Sequence, residues 1–180
     1  MNALIRAWLL VALLSLASGA YAQRQLVPVV NFEAIPVAMS TSKALTAEQV
    51  KAAFIGAADG TPWELVPKGP GVIEATYRKG NKHTVVVEVT HDAQTYSVRY
   101  VSSVNMKYEA DPRNYEALYT NRQSGATAAE LAAKKQQESF SGSPDAPYAK
   151  PDAKAVIHPF YERWVHELLD GVRKKLRTIE

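Results

Sequence analysis

The sequence predicts a two-layer α+β domain: an antiparallel sheet of four or five strands, in the element order β-α-β-β-β-β-α, with two helices packed on one face. Three observations predict it. Between Gly69 and Tyr108, three segments rich in β-branched and aromatic residues follow one another across short polar turns, as in an antiparallel meander. Thr46-Ala47-Glu48-Gln49 is a capping box, and Val50, Ala53, Phe54 and Ala57 follow it at helical spacing. Near the C-terminus, Phe160, Tyr161, Trp164, Val165, Leu168, Leu169, Val172 and Leu176 recur at threes and fours, a face wide enough to lie across a sheet.

In chain order, residues 1–22 read as a signal peptide. Arg6 supplies the positive start, Ala7 to Ala17 the apolar run and Ala20-Tyr21-Ala22 the cleavage signal, so cleavage before Gln23 and a periplasmic or secreted location are expected. The run is too short to span a bilayer, which takes about 20 residues. Leu26 to Ala38 reads as a strand, placed at a sheet edge because Pro28 and Pro36 lack the N–H a ladder needs. The helix after Thr46 is expected to stop near Gly60, and Trp63 to Val66 alternates like a short strand before Pro67 to Gly71 turns the chain.

Within the meander, the strands are Val72–Tyr77, Thr84–Thr90 and Tyr96–Val101, with turns at Lys79–Lys82 and His91–Gln94. Ile73, Ala75 and Tyr77, then Val85, Val87 and Val89, then Tyr96, Val98 and Tyr100 should face the core. Glu74, Arg78, Glu88 and Arg99 should face water. From Glu109 to Ala155 the composition turns to Ala, Ser, Pro, Lys and Gln. That stretch reads as a mobile insertion, with a short helix after Asp111-Pro112, a marginal one after Thr127 and a proline-rich linker from Ser141 to Lys154. A single domain therefore comprises 23–108 and 156–180, closed by a helix that opens at His158-Pro159. Arg173, Lys174, Lys175 and Arg177 stand in its final turns, where cations suit the helix dipole.

Composition narrows the function classes. The 180 residues hold 21 Lys and Arg against 18 Asp and Glu, a formal charge of +3 that becomes +2 once Arg6 is cleaved off; so mild a balance argues against nucleic acid. There is no cysteine, hence no disulfide, no thiol nucleophile and no attachment point for a lipid anchor. No later stretch is apolar enough for a membrane span. Removing 22 residues from 180 leaves 158, enough to bury a substantial core without crosslinks.

Candidate chemistry is sparse. His83 and His91 stand eight residues apart on one strand, roughly 27 Å, and cannot share an ion. His158 and His166 are eight apart on a helix, roughly 12 Å along its axis. Glu162, His166 and Asp170 form a stripe that reads better as a solvated face than as metal ligands. Gly69-Pro70-Gly71 is a hairpin turn and not a phosphate loop, since Pro70 has no N–H and no Lys-Ser/Thr pair follows. A hydrolase would need Ser102 or Ser103 beside His158, and no nucleophile-elbow pattern is present. No catalytic residue, cofactor or metal is expected. The most unusual stretch is Tyr100 to Tyr108, where Ser102, Ser103 and Asn105 precede Tyr108. Beside the start of the last helix they could form a binding notch with His158 and Tyr161, although a strand running out through ordinary turn residues accounts for them too.

Trp63, Gly69-Pro70-Gly71-Val72-Ile73-Glu74-Ala75, Tyr96-Ser97-Val98-Arg99-Tyr100, Ser103, Asn105, Tyr108, Ile157-His158, Tyr161 and Trp164-Val165 form a pattern that resembles a family of small, uncharacterised bacterial envelope proteins, many of them lipoproteins. The resemblance covers most of 46–108 and 156–176 and brings no assigned activity with it. Two departures are the missing lipoprotein cysteine and the insertion at 109–155. The resulting expectation is a non-enzymatic periplasmic protein that binds another envelope component, such as a protein. The alternative is a small-molecule site in the cleft between helices and sheet, and a hydrolase-like enzyme comes third.

Overall fold

The computed structural model describes residues 26–111 and 143–179. The expected signal peptide and the two helices expected after Asp111 and Thr127 lie outside the described residues. The chain is mixed α+β, as expected. Its sheet is larger than four or five strands, because two stretches outside the meander join it. In chain order the elements are β1 (Val27–Pro36), a 3-10 turn (Val37–Met39), α1 (Ala47–Ala58), β2 (Trp63–Gly69), β3 (Val72–Lys79), β4 (His83–His91), β5 (Thr95–Val104), β6 (Glu109–Ala110), a second 3-10 turn (Ala146–Tyr148), β7 (Ala149–Ile157) and α2 (Phe160–Thr178). The seven described strands lie in the order β2-β3-β4-β5-β1-β7-β6, and every neighbouring pair is antiparallel.

Two expectations are corrected by that order. β1 is not an edge strand; it lies between β5 and β7. Its prolines are tolerated there by position. Pro28 stands at a break in register, where its partner is Val156 but the partner of Val29 is already Asp152, and Pro36 is the last residue of the strand. The second correction concerns Ala149 to Ala155, read as linker but built into β7. These residues have a ready partner in β1, and Ala155, Val156 and Ile157 are buried against the core.

Local signals place the rest. Thr46 accepts the Gln49 N–H through its hydroxyl, and Gln49 Oε1 accepts the Thr46 N–H, so the capping box forms and starts α1. Gly60 follows its end with φ +71, a left-handed residue that glycine adopts without strain. At the β2–β3 hairpin the requirement is stricter. Gly71 has φ +69, and a Cβ there would stand 2.7 Å from the His91 carbonyl oxygen.

One sheet face carries the core. Ile73, Ala75, Tyr77, Val85, Val87, Val89, Tyr96 and Val98 are buried, and they pack with Val50, Ala53 and Phe54 of α1 and Trp164, Val165, Leu168, Leu169 and Val172 of α2. Burying each such aliphatic side chain stabilises the fold by roughly 1.5–3 kcal/mol. The helices touch closely where Gly171 meets Ala57; a Cβ on Gly171 would lie 3.2 Å from that of Ala57. The opposite sheet face is polar and laced by ion pairs, Glu64 with Arg78, Lys68 with Glu74, and Glu33 with both Arg99 and Lys150.

Candidate functional site

The C-terminal end of β5 and the first turn of α2 meet at one end of the sheet. Tyr100 is the residue around which the side chains there gather. Its hydroxyl lies 2.9 Å from Ser103 Oγ. Its ring stacks on Tyr108 with centroids 4.8 Å apart, and meets Tyr161 edge-on at 5.6 Å. Tyr161 is fully buried and donates its hydroxyl proton to the Val30 carbonyl at 2.8 Å. Burial pushes the phenol pKa of both Tyr100 and Tyr161 upward, against the Ser103 hydrogen bond in the first case.

A β-bulge decides which serine takes part. Val87 pairs with Tyr100, but Val86 pairs with Ser102 and Val85 with Ser103, so the register slips by one residue at Val101. Strict alternation would place Ser102 beside Tyr100; the slip puts Ser103 there and leaves Ser102 on the exposed opposite face. Asn105 is also turned away from the cluster. Its side-chain amide donates to the Lys82 carbonyl at 2.5 Å, and its own carbonyl accepts from His83 Nδ1 at 2.9 Å. Of the six residues expected to form a notch, the fold therefore gathers Ser103, Tyr108, His158 and Tyr161 and diverts Ser102 and Asn105. Tyr100 was missing from that set.

The loop carrying Tyr108 is held firmly. Asn105 and Lys107 have φ of +57 and +52, and the left-handed region costs a non-glycine residue roughly 1–2 kcal/mol, least for Asn. Between them Met106 is buried, and its carbonyl accepts the His158 N–H at 2.9 Å. His158 Nδ1 in turn accepts the Phe160 N–H at 3.2 Å, giving a partner to one of the free N–H groups in the first turn of α2. The His158 and Phe160 rings lie 4.5 Å apart. Phe160 leans on Trp164, and Trp164 stacks on Tyr77 at 4.3 Å, so these rings run from His158 into the core, while Tyr108 reaches the core through Tyr100 and Tyr161. Tyr108 is 42 % exposed. The Ser103 hydroxyl is engaged by that of Tyr100, so the arrangement offers an aromatic platform with hydroxyls beside it.

A second cluster was not foreseen. Asp145, in the stretch read as linker, is fully buried and accepts a hydrogen bond from Arg173, which also binds Asp170. His166 Nδ1 lies 3.8 Å from the same Asp145 oxygen. Burial alone would raise the Asp145 pKa, but the imidazole and guanidinium beside it hold the carboxyl below its ordinary value. The Glu162, His166 and Asp170 stripe is only in part a solvated face: Glu162 is buried and His166 lies beside Asp145, whereas Asp170 is exposed and paired with Arg173 of the same helix. Among the described residues no group of three or more His, Asp or Glu side chains is placed to hold a metal ion. No helix among them is long and apolar enough to cross a membrane. His91 is also buried, stacked near Phe54, with neither ring nitrogen hydrogen-bonded.

Fold and site together define a two-layer α+β domain with an aromatic notch at one end of its sheet. Compared with known proteins, the chain matches no family model, no curated protein and no solved structure.

Proposed function

We infer that this is a non-catalytic protein of the bacterial envelope, exported by its N-terminal segment, that binds another envelope component on the aromatic notch. The observation that carries the reading is Tyr108. A large aromatic ring stands 42 % exposed, stacked on a second ring and presented by a loop with two left-handed non-glycine residues. Strained loops that fix an exposed aromatic side chain are expensive to keep for packing alone, since the ring could be buried or replaced at lower cost. The space between helices and sheet is filled by side chains with almost no solvent exposure, so its open end at Tyr100, Ser103, Tyr108 and His158 is where a ligand has access.

Native mass spectrometry of the protein released gently from its own cells tests the reading. The wild type is expected to carry an added mass that Tyr108→Ala lacks. A bare wild-type chain, or the same adduct on both proteins, refutes it.

A further inference from the structure

Three exposed lysines stand on the two loops beside the notch. Lys79 and Lys82 flank the β3–β4 turn, and Lys107 directly precedes Tyr108. The hydrogen bonds that Lys82 and His83 make to Asn105 clamp that turn against the loop carrying Lys107 and Tyr108, so the two loops form one unit. All three lysines are exposed, and none forms an ion pair among the described residues. Elsewhere on the sheet, by contrast, Lys68, Arg78, Arg99 and Lys150 each have an acidic partner. The other cations without an ion pair among the described residues are Lys43, whose ammonium donates to the Ile179 carbonyl, Lys154 on β7, and Lys174, Lys175 and Arg177 in the last turns of α2, where the helix dipole accounts for them.

We propose that the notch binds an anionic glycan, with one sugar ring laid on the exposed face of Tyr108 and the acidic groups of the chain met by Lys82 and Lys107. This rests on the binding role inferred above and names the class of ligand. Size favours a sugar over a protein surface. A stable protein interface buries about 800 Å² on each partner, around aromatic anchors that become fully buried, whereas the notch offers one exposed ring. A pyranose presents a flat C–H face that matches one tyrosine ring, and hydroxyls at its rim that the Ser103 and Tyr100 oxygens can meet. Lysine ammonium groups on flexible stems suit carboxylates or phosphates spaced along a polymer, where a guanidinium fork would demand one fixed geometry. The nearest acidic side chain in sequence, Glu109, is exposed beside Tyr108, so charge alone does not define the notch and the ring has to contribute.

Three probes separate the elements of this claim: a galacturonic acid hexamer, a neutral cello-oligosaccharide of the same length, and inorganic polyphosphate, which has charge but no rings. The acidic hexamer is expected to bind in titration calorimetry, and the neutral one at least about tenfold more weakly. Tyr108→Ala, and separately the double variant Lys82→Gln/Lys107→Gln, should each weaken the acidic hexamer about tenfold, while Tyr108→Phe keeps the stack and the binding. The lysine contribution should shrink as salt rises. These side chains are exposed, and unchanged melting curves verify that the variants fold. No binding of the acidic hexamer overturns the proposal, as does polyphosphate binding equally well with Tyr108→Ala indifferent. If the hexamer fails while the natural isolate still carries an adduct dependent on Tyr108, the glycan assignment falls and the binding role stands.

Discussion

Arg173→Met is the substitution whose effect follows most directly from the buried charges. Methionine keeps the stem that packs on the core but removes the guanidinium. Asp145 would then be left at 0 % exposure with one oxygen unpartnered and only His166 nearby, 3.8 Å from the other. Stranding one partner of a buried pair costs about 3–5 kcal/mol. In urea, with a slope of 1–3 kcal/mol per molar for a domain of this size, that lowers the unfolding midpoint by about 2 M. Tryptophan fluorescence and far-ultraviolet circular dichroism should report it together. Adding Asp145→Leu removes the stranded charge, and the double variant should recover most of the loss or exceed the wild type. The pH dependence has a definite sign. In the wild type the Asp145 pKa lies below its ordinary 3.8, so its contribution is present above that value and lost as pH falls through the folded pKa. In Arg173→Met the carboxyl is raised instead, its penalty is full at neutral pH, and the gap to wild type should narrow toward pH 4. A gap under about 1 kcal/mol, or one independent of pH, would refute the assignment of Asp145 and Arg173 as a buried, mutually dependent pair.

Other perturbations have equally specific expectations. Trp164→Ala removes a side chain 1 % exposed and stacked on Tyr77, and should cost about 3–5 kcal/mol in chemical unfolding; an unchanged midpoint would remove it from the core. Gly71→Ala should cost about 1–3 kcal/mol, because its φ of +69 is strained for alanine and the new Cβ meets the His91 carbonyl; a neutral result would mean the hairpin relaxes freely. The His91 ring is buried without hydrogen bonds, and burial holds its pKa below the ordinary 6.5, so the unfolded chain takes up the proton first and stability should fall as pH drops below that value. His91→Leu should flatten that slope between pH 7 and 5, measured by thermal melts; an unaltered slope would assign the acid sensitivity elsewhere.

Much of the architecture was legible because it rests on local rules. The Thr46 capping box, the apolar stripe of α2 and the alternation of Val85, Val87 and Val89 each report backbone geometry within a few residues, and all three hold. What escaped depends on contacts between distant segments. Asp145 sits among Ser and Pro residues and looked like linker, and its partner Arg173 lies 28 positions on. Nothing local distinguishes an arginine that will be buried from one that caps a helix dipole. β7 was hidden for the same reason: its small and charged residues carry weak strand propensity, and pairing with β1 decides their conformation. At the notch, the sequence offered both Ser102 and Ser103, and the bulge at Val101 separates them, setting Ser103 beside Tyr100 and Ser102 on the exposed face. A one-residue slip inverts every face beyond it, and no composition signal precedes this one.

The binding role proposed for Tyr108 is tested most directly by a photoreactive amino acid placed at position 108 in the living cell, with the same probe at Glu88, exposed on the polar sheet face, as reference. Irradiation is expected to attach an envelope component at position 108 and leave position 88 free. Equal labelling at both positions, or none at 108, would contradict a binding site at the notch.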